Sequence, residues 1–270
     1  MIVEPFGVDR PVIGMVHLPA LSGSPGFEGD REAIRERAVA DAEALDGGGV
    51  DGVLVENFGD APFHPDDVPK HVVASMTRCV GAVADAVDAP VGVNVLRNDA
   101  EAALSVAAAT GADFVRVNVH AGARVTDQGV IEGRAHETVR LRERLDADVR
   151  VFADVAVKHS APLGERGIGE VVAETVDRGL ADGVIASGTG TGRAVDRDHL
   201  AAVAAARDDL DRRVPILVGS GATPATVADL LTVADGVVVG TALKEGGETA
   251  KPVDPDRVAA LVDAADEARR

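Results

Sequence analysis

A closed (β/α)8 barrel is the fold predicted for this 270-residue chain, and two patterns predict it. The first is a weak internal repeat, small–Asp–(Gly or Phe)–Val, whose four copies begin at Val50, Ala112, Ala181 and Ala234. The second is a further apolar run between successive copies, usually introduced by Pro or Asp, which brings the predicted strands to eight. Amphipathic segments separate these strands, so parallel βα units with right-handed crossovers are expected. Eight such units favour a closed barrel over an open sheet.

The predicted elements alternate along the whole chain. Short β-branched or apolar runs predict strands at residues 12–16, 52–56, 91–96, 114–119, 150–155, 183–186, 216–218 and 237–239. Apolar residues at helical spacing predict helices at residues 30–45, 68–87, 100–110, 134–145, 169–178, 197–208, 225–231 and 255–268. Thr223-Pro224 and Asp254-Pro255 each supply a helix cap followed by a first-turn proline. No linker interrupts the alternation, so we expect one domain over residues 1–270.

Composition narrows the class of protein. The chain is 46% hydrophobic with no Trp or Tyr, so its core is built from small aliphatic residues, as is typical of buried parallel strands. A formal net charge of −18 argues against nucleic-acid binding, and the excess of acidic residues over lysine is typical of a halophilic, acidic proteome. We see no apolar run long enough to span a membrane and no basic leader, and therefore expect a cytoplasmic protein without membrane insertion. Cys79 lies in an apolar helical pattern and is predicted to be a core residue rather than a nucleophile.

Glycine and small hydroxyl residues follow the last two predicted strands directly. Gly219, Ser220 and Gly221 end the first of these strands, and Gly240 and Thr241 end the second. Loops after strands 7 and 8 of a (β/α)8 barrel commonly hold phosphate, because their backbone N–H groups can surround an anion. The same residues also suit ordinary strand-to-helix turns, so these five residues are predicted phosphate ligands with that alternative open.

Polar residues at the ends of the other six strands predict a ligand site at one face of the barrel. The candidates are His17, Glu56, Asn57, Asn94, Arg116, Asn118, His120, Asp154, Lys158, Ser187 and Thr189. Buried polar groups cost free energy unless they are bonded, so packing alone does not explain polar residues at every strand end. Two alternatives stay open: Arg116 in a buried ion pair with Glu56 or Asp154, and Lys158 as a solvated loop residue.

The predicted roles follow from side-chain chemistry. Glu56, Asp154, His17 and Lys158 are predicted to be catalytic, with the choice of acid and base left open; the other candidates are predicted to bind ligand. No local spacing indicates a metal site, although carboxylates and histidines at this face leave a divalent metal open. The sequence therefore favours an enzyme acting on a small phosphorylated sugar or nucleotide-like metabolite, as a hydrolase, lyase or isomerase. The alternative is a non-catalytic assembly or stability factor, and a homo-oligomer is compatible with either.

Five motifs together resemble a known family. They are GMVHLPALSGSP at residues 14–25, DGVLVENFGDAPF at 51–63, RVNV at 116–119, DVAVKHS at 154–160 and VGSG at 218–221. The first two are specific, and the set is similar to the BtpA family, which also contains SgcQ-type proteins. That resemblance implies a (β/α)8 barrel of the phosphate-binding type. It also implies a link to photosystem I biogenesis, the role of the family's namesake in cyanobacteria, although relatives occur in organisms without photosynthesis.

Overall fold

Eight parallel strands close into a barrel in the computed structural model, which describes residues 1–155, 159–188 and 195–270. The barrel strands are β1 (Val12–His17), β2 (Gly52–Glu56), β3 (Val91–Asn94), β4 (Phe114–Val117), β5 (Arg150–Asp154), β6 (Gly183–Ser187), β7 (Ile216–Gly219) and β8 (Gly236–Val239). Each strand pairs in parallel with its neighbours in chain order, and β8 pairs with β1 to close the barrel. The predicted (β/α)8 fold is confirmed.

Helices surround the barrel between successive strands. They are α1 (Arg31–Gly47), α2 (Lys70–Ala84), α3 (Ala100–Thr110), α4 (Ala135–Arg144), α5 (Ile168–Ala173), α6 (Arg197–Asp208), α7 (Val227–Leu230) and α8 (Pro255–Arg269). The Asp254 carboxylate caps α8 by accepting from the backbone N–H groups of Asp256 and Arg257. By contrast, α7 begins two residues later than predicted, because Thr223 and Thr226 form hydrogen-bonded turns ahead of it.

The repeated aspartates have a structural cause at the N-terminal end of the barrel. Each precedes an even-numbered strand, and its carboxylate accepts from a backbone N–H in the first two residues of the preceding strand at 2.8 or 2.9 Å. The four pairs are Asp51 with Val12, Asp113 with Val91, Asp182 with Val151 and Asp235 with Ile216. The repeat thus joins neighbouring strands two by two at the end of the barrel opposite the predicted site.

Two apolar layers lie on the two sides of the strands. One is the large core between the strands and the helices, and the other fills the lower interior of the barrel. The interior layer contains Phe114 and Phe152, whose rings meet edge to face at 5.8 Å, and a short N-terminal hairpin adds Phe6 from below. A Cβ at Gly92 would lie 2.2 Å from the Phe114 ring, so this glycine makes room for the phenylalanine. The interior is therefore packed below and polar only above.

A small antiparallel sheet that the sequence patterns did not predict lies beyond β4. Its strands are Ala123–Thr126, Gly129–Glu132 and Ala161–Pro162. They form part of the C-terminal end of the barrel, to which the site belongs. Among the described residues, no helix combines the length and the apolarity needed to cross a membrane.

Candidate functional site

A layer of buried polar side chains lies above the phenylalanines, at the C-terminal mouth of the barrel. Its members come from the ends of β1 to β6: His17, Glu56, Asn94, Arg116, Asn118, Asp154 and Ser187, each no more than 8% exposed. The strand register aligns them, since His17 is opposite Glu56 and Glu56 is opposite Asn94. Seven of the polar residues predicted from the sequence are therefore brought together.

The Asp154 carboxylate is the most heavily bonded group in this layer. Arg116 donates to both of its oxygens, Nε to Oδ2 and Nη2 to Oδ1, at 3.0 Å each. Asn118 Nδ2 donates to Oδ2 at 3.0 Å, and Ser187 Oγ donates to Oδ1 at 2.6 Å. Burial alone would lower the pKa of Arg116, but the Asp154 and Glu56 carboxylates outweigh burial and raise that pKa. Arg116 is therefore held in its charged form, and the Asp154 oxygens are occupied by protein donors.

Hydrogen bonding fixes the orientation of two amides beside this pair. Because Asn118 uses its nitrogen on Asp154, its Oδ1 is free to accept from Asn94 Nδ2 at 3.1 Å. Asn94 Nδ2 also donates to the Arg116 carbonyl at 2.9 Å. Within the described part of the chain, Asn94 Oδ1 is buried with no hydrogen-bond partner. Such an unsatisfied acceptor is rare in a protein interior and is typical of a functional site.

β7 ends in Gly219 and β8 is followed directly by Gly240, and a cavity of about 290 Å³ opens beside these two glycines. It is lined by the two glycine-containing loops and, from the polar layer, by His17, Glu56 and Arg116. A Cβ on Gly240 would lie 2.6 Å from His17 Cε1, so any larger residue would intrude on the cavity wall. The structure thus places Gly219, Ser220, Gly221, Gly240 and Thr241 around one opening with two of the predicted catalytic side chains.

The loop after β7 has an uncommon backbone conformation. Ser220 has φ 144° and Gly221 has φ 82°. A residue with a side chain rarely adopts such a positive φ, and strained residues of this kind cluster at ligand sites. Thr241 Oγ1 is engaged with Thr249 Oγ1 at 2.8 Å, so its backbone N–H is the group more suited to an anion.

His17 and Glu56 form the polar wall of the cavity opposite the glycine loops. His17 Nε2 lies 3.9 Å from Glu56 Oε1. The edge-to-face contact of the imidazole with Phe58, at 4.9 Å between ring centroids, holds the ring in place. An imidazole beside a carboxylate at a cavity wall is suited to proton transfer.

Some predicted site residues lie elsewhere. His120 is buried away from the cluster: its Nε2 donates to the Gly179 carbonyl at 2.8 Å, and burial lowers the pKa of its imidazole. Asn57 fixes two loops, accepting from Leu96 N at 2.7 Å and donating to Asp60 Oδ2 at 3.1 Å. Lys158 and Thr189 lie outside the described residues.

The structure also adds arginines that the sequence analysis did not select. Arg257, in the first turn of α8, lines the cavity between the glycine loops. A cation in the first turn of a helix is disfavoured by the helix dipole, so an arginine at this position in the sequence could have indicated a functional role. Arg124, on the small antiparallel sheet, is close enough to Asp154 for the carboxylate to act on its pKa. No sequence pattern distinguishes Arg124, because that sheet was not predicted.

Metal ligation has no clear centre in the described ranges 1–155, 159–188 and 195–270. No group of three or more His, Cys, Asp or Glu side chains there is arranged to hold a metal ion. Glu56 has His17 as its neighbour in the polar layer, while Asp154 is surrounded by donors. We therefore assign no metal ligand in this part of the chain.

These features define a (β/α)8-barrel protein with a polar, cavity-bearing C-terminal mouth. The chain belongs to the BtpA family, whose model matches residues 8–267. It is 45% identical over 261 residues to the photosystem I biogenesis protein BtpA of Synechocystis, covering 97% of this chain and 90% of that protein. It is 46% identical to an uncharacterised protein of Thermococcus kodakarensis, covering 97% of each chain.

Solved structures support the fold. Orotidine 5'-phosphate decarboxylase from Pyrococcus horikoshii superposes with a TM-score of 0.57 at 18% identity, covering 94% of this chain and 99% of that one. At such low identity the likeness extends to the barrel and no further.

Proposed function

We propose that this protein is an enzyme acting on a phosphorylated sugar or nucleotide-like metabolite, by acid–base chemistry of the hydrolase, lyase or isomerase type. The observation that carries the proposal is the shared cavity: both glycine loops and the Glu56–His17 wall line one opening of about 290 Å³. Such a reaction needs two components, an anion-binding site and proton-transfer groups. The glycine loops supply the first, and Glu56 and His17 supply the second.

The phosphate is assigned to the loops after β7 and β8. Gly219 and Gly240 leave the backbone accessible, and the positive φ of Gly221 turns the loop at the cavity edge. Backbone N–H groups and a neighbouring guanidinium are the usual partners of a phosphate, and Arg257 supplies the guanidinium.

Acid–base chemistry is assigned to Glu56, with His17 as its partner. Both line the cavity, whereas the oxygens of Asp154 accept from Arg116, Asn118 and Ser187. Because its oxygens are engaged by these donors, Asp154 acts as a positioning residue for Arg116. The Arg116 guanidinium, which also lines the cavity, stabilises negative charge that develops on the substrate.

A ligand screen followed by two variants tests this proposal. We expect phosphosugars or nucleotides to raise the Tm of the wild-type protein, and non-phosphorylated sugars to leave it unchanged. Gly240→Ala places a methyl group against His17 and is expected to weaken phosphate-dependent binding about tenfold or more, the effect of about 1.4 kcal/mol.

The second variant separates chemistry from binding. Glu56→Gln keeps the shape of the side chain, so we expect it to bind a hit from the screen yet turn it over at least about a hundredfold more slowly. Stabilisation by no phosphorylated compound in a broad panel would reject the phosphate assignment. Full turnover by Glu56→Gln would reject the assignment of the base.

A second candidate function rests on the relative in Synechocystis, which is named as a photosystem I biogenesis protein. A non-catalytic assembly factor of this kind would keep the barrel and use its outer helices to bind a partner. The relative in Thermococcus kodakarensis, at comparable identity, is uncharacterised and adds no support for such a role. Absence of ligand binding together with capture of a defined membrane-protein subunit would favour this candidate.

A further inference from the structure

A second cavity opens at the barrel mouth on the side of β4 and β5. Its volume is about 260 Å³, and its polar lining residues are Asn118, Arg124, Asp154, Arg166, Glu174 and His199. In the closed order of strands, β4 lies opposite β8, so this cavity and the glycine-loop cavity occupy opposite sides of the mouth. The Arg116–Asp154 pair separates them, since Arg116 lines the first cavity and Asp154 lines the second.

The two carboxylates that line the second cavity are paired with arginines other than Arg124. Asp154 is paired with Arg116, and Glu174 is paired with Arg166 at 2.6 Å from Oε2 to Nη2. Arg124 has neutral partners: its Nε donates to Ser160 Oγ at 2.6 Å and its Nη2 to the Ser160 carbonyl at 3.4 Å. In the part of the chain that the structure describes, the Arg124 guanidinium forms no ion pair.

Burial makes the charge of the Arg124 guanidinium costly, because no carboxylate among the described residues forms an ion pair with it. Arg124 is half-buried, and desolvation lowers the pKa of its guanidinium; the Asp154 carboxylate raises that pKa, while the nearby charge of Arg97 lowers it. An anion bound at Arg124 would offset the desolvation cost of the guanidinium and its repulsion by Arg97. A guanidinium fork is also the side chain best shaped to bind a carboxylate or phosphate through two parallel hydrogen bonds.

We propose that the second cavity is an anion subsite built around Arg124, so that the substrate carries an oxyanion group at the end remote from its phosphate. This inference rests on the proposed function, because the glycine loops must hold the first phosphate. The substrate class is thereby narrowed to metabolites with two anionic ends, the second being a carboxylate or another phosphate. Such a ligand would span the mouth and pass over the Arg116–Asp154 pair.

Isothermal titration with three six-carbon probes tests the second subsite. Sorbitol 6-phosphate has one anionic end; 6-phosphogluconate adds a carboxylate at the other end, and sorbitol 1,6-bisphosphate adds a phosphate there. We expect the wild-type protein to bind at least one doubly anionic probe about tenfold more tightly than sorbitol 6-phosphate, as for one charge-assisted contact. The better of the two identifies the natural second group.

Variants assign the preference to Arg124. Arg124→Gln is expected to reduce the preference to about twofold or less without changing the affinity for sorbitol 6-phosphate. Arg124→Lys should keep part of the preference, and Arg140→Gln, an exposed arginine on α4, should keep all of it. Measured Tm values for the variants check that each is folded.

The outcomes distinguish this inference from the proposed function. Equal affinity of the wild-type protein for all three probes, or a preference that survives in Arg124→Gln, would overturn the second subsite and leave the phosphate site intact. Failure of all three probes to bind would overturn the phosphate assignment itself, and the second subsite with it.

Discussion

The two ends of the barrel use aspartates in different ways. At the N-terminal end, four aspartates at equivalent positions each accept from a backbone N–H at the start of the preceding strand. At the C-terminal mouth, a single aspartate, Asp154, accepts from an arginine and an asparagine at the end of β4 and from a serine at the end of β6. The Arg116–Asp154 pair has a cavity on each side. The four repeated aspartates join neighbouring strands, whereas Asp154, which has no counterpart in the repeat, orients the side chains that line the two cavities. Residues that recur at regular positions along this chain thus stabilise the barrel, and polar residues outside the repeat form the candidate site.

The sharpest test of this contrast is at Asp154, because it lies at the functional end but is bonded like a structural group. Asp154→Asn leaves the buried Arg116 guanidinium without a carboxylate, so we expect the free energy of unfolding to fall by about 3–5 kcal/mol. Ser187→Ala is the matched control, since it removes one hydrogen bond to the same carboxylate and leaves the ion pair, at a cost of about 1–2 kcal/mol. Urea unfolding of both variants measures the difference.

If Asp154→Asn were as stable as Ser187→Ala and inactive, the carboxylate would be a direct catalytic group instead of a positioning one. The aspartates at the N-terminal end would then be structural, and Asp154 at the C-terminal mouth would be functional. If both the stability and the activity were unchanged, the role given to the Arg116–Asp154 pair would be wrong.

A smaller effect is expected at the opposite end, at Asp235. Its carboxylate accepts from Ile216 N at 2.9 Å and from Arg207 Nη1 at 2.7 Å. Because Arg207 keeps Asp208 and the Val214 carbonyl as partners, Asp235→Ala should lower the free energy of unfolding by about 2–3 kcal/mol. Ligand affinity, measured below the unfolding transition, should match that of the wild-type protein. A change in affinity of more than about threefold would show that the two ends are coupled.

The same contrast explains which features the sequence revealed. The four aspartates recur at regular positions, so the strands and the (β/α)8 fold could be predicted from the pattern alone. The polar layer could also be predicted, because polar residues ended strands that were otherwise apolar. The different roles of Glu56 and Asp154 could not be predicted, since they depend on which of the two carboxylates pairs with Arg116.

Two other features were not predictable from the sequence for geometric reasons. His120 follows β4 as Asn118 does, but its side chain reaches Gly179 after α5, and the spacing along the strand does not show that direction. Arg124 becomes a candidate ligand only because a small antiparallel sheet, with strands of four, four and two residues, brings it to the mouth. Neither feature leaves a periodic signal.

His120 provides the smallest and last test, by pH. Its Nε2 donates to the Gly179 carbonyl, while Nδ1 is buried with no hydrogen-bond partner among the described residues, so a second proton there would be a buried, unsatisfied donor. Burial lowers the pKa of His120 in the folded state, whereas the unfolded chain titrates near about 6.5. The folded state therefore binds fewer protons, and its stability is complete above about pH 6.5 and is lost as the pH falls towards the folded pKa. We expect this loss to be at most about 1.4 kcal/mol per pH unit. It should be absent from His120→Gln, so the stability of the variant should fall less steeply with decreasing pH. Because the side chain lies outside the polar layer, His120→Gln should bind phosphorylated ligands as the wild-type protein does.

Unfolding curves measured at several pH values between 7.5 and 5, at roughly one-unit spacing, give the dependence of stability on pH for both proteins. An unchanged slope in the variant would assign the acid sensitivity to other groups. A loss of ligand affinity would show that His120 does bind ligand, as its position after β4 predicted.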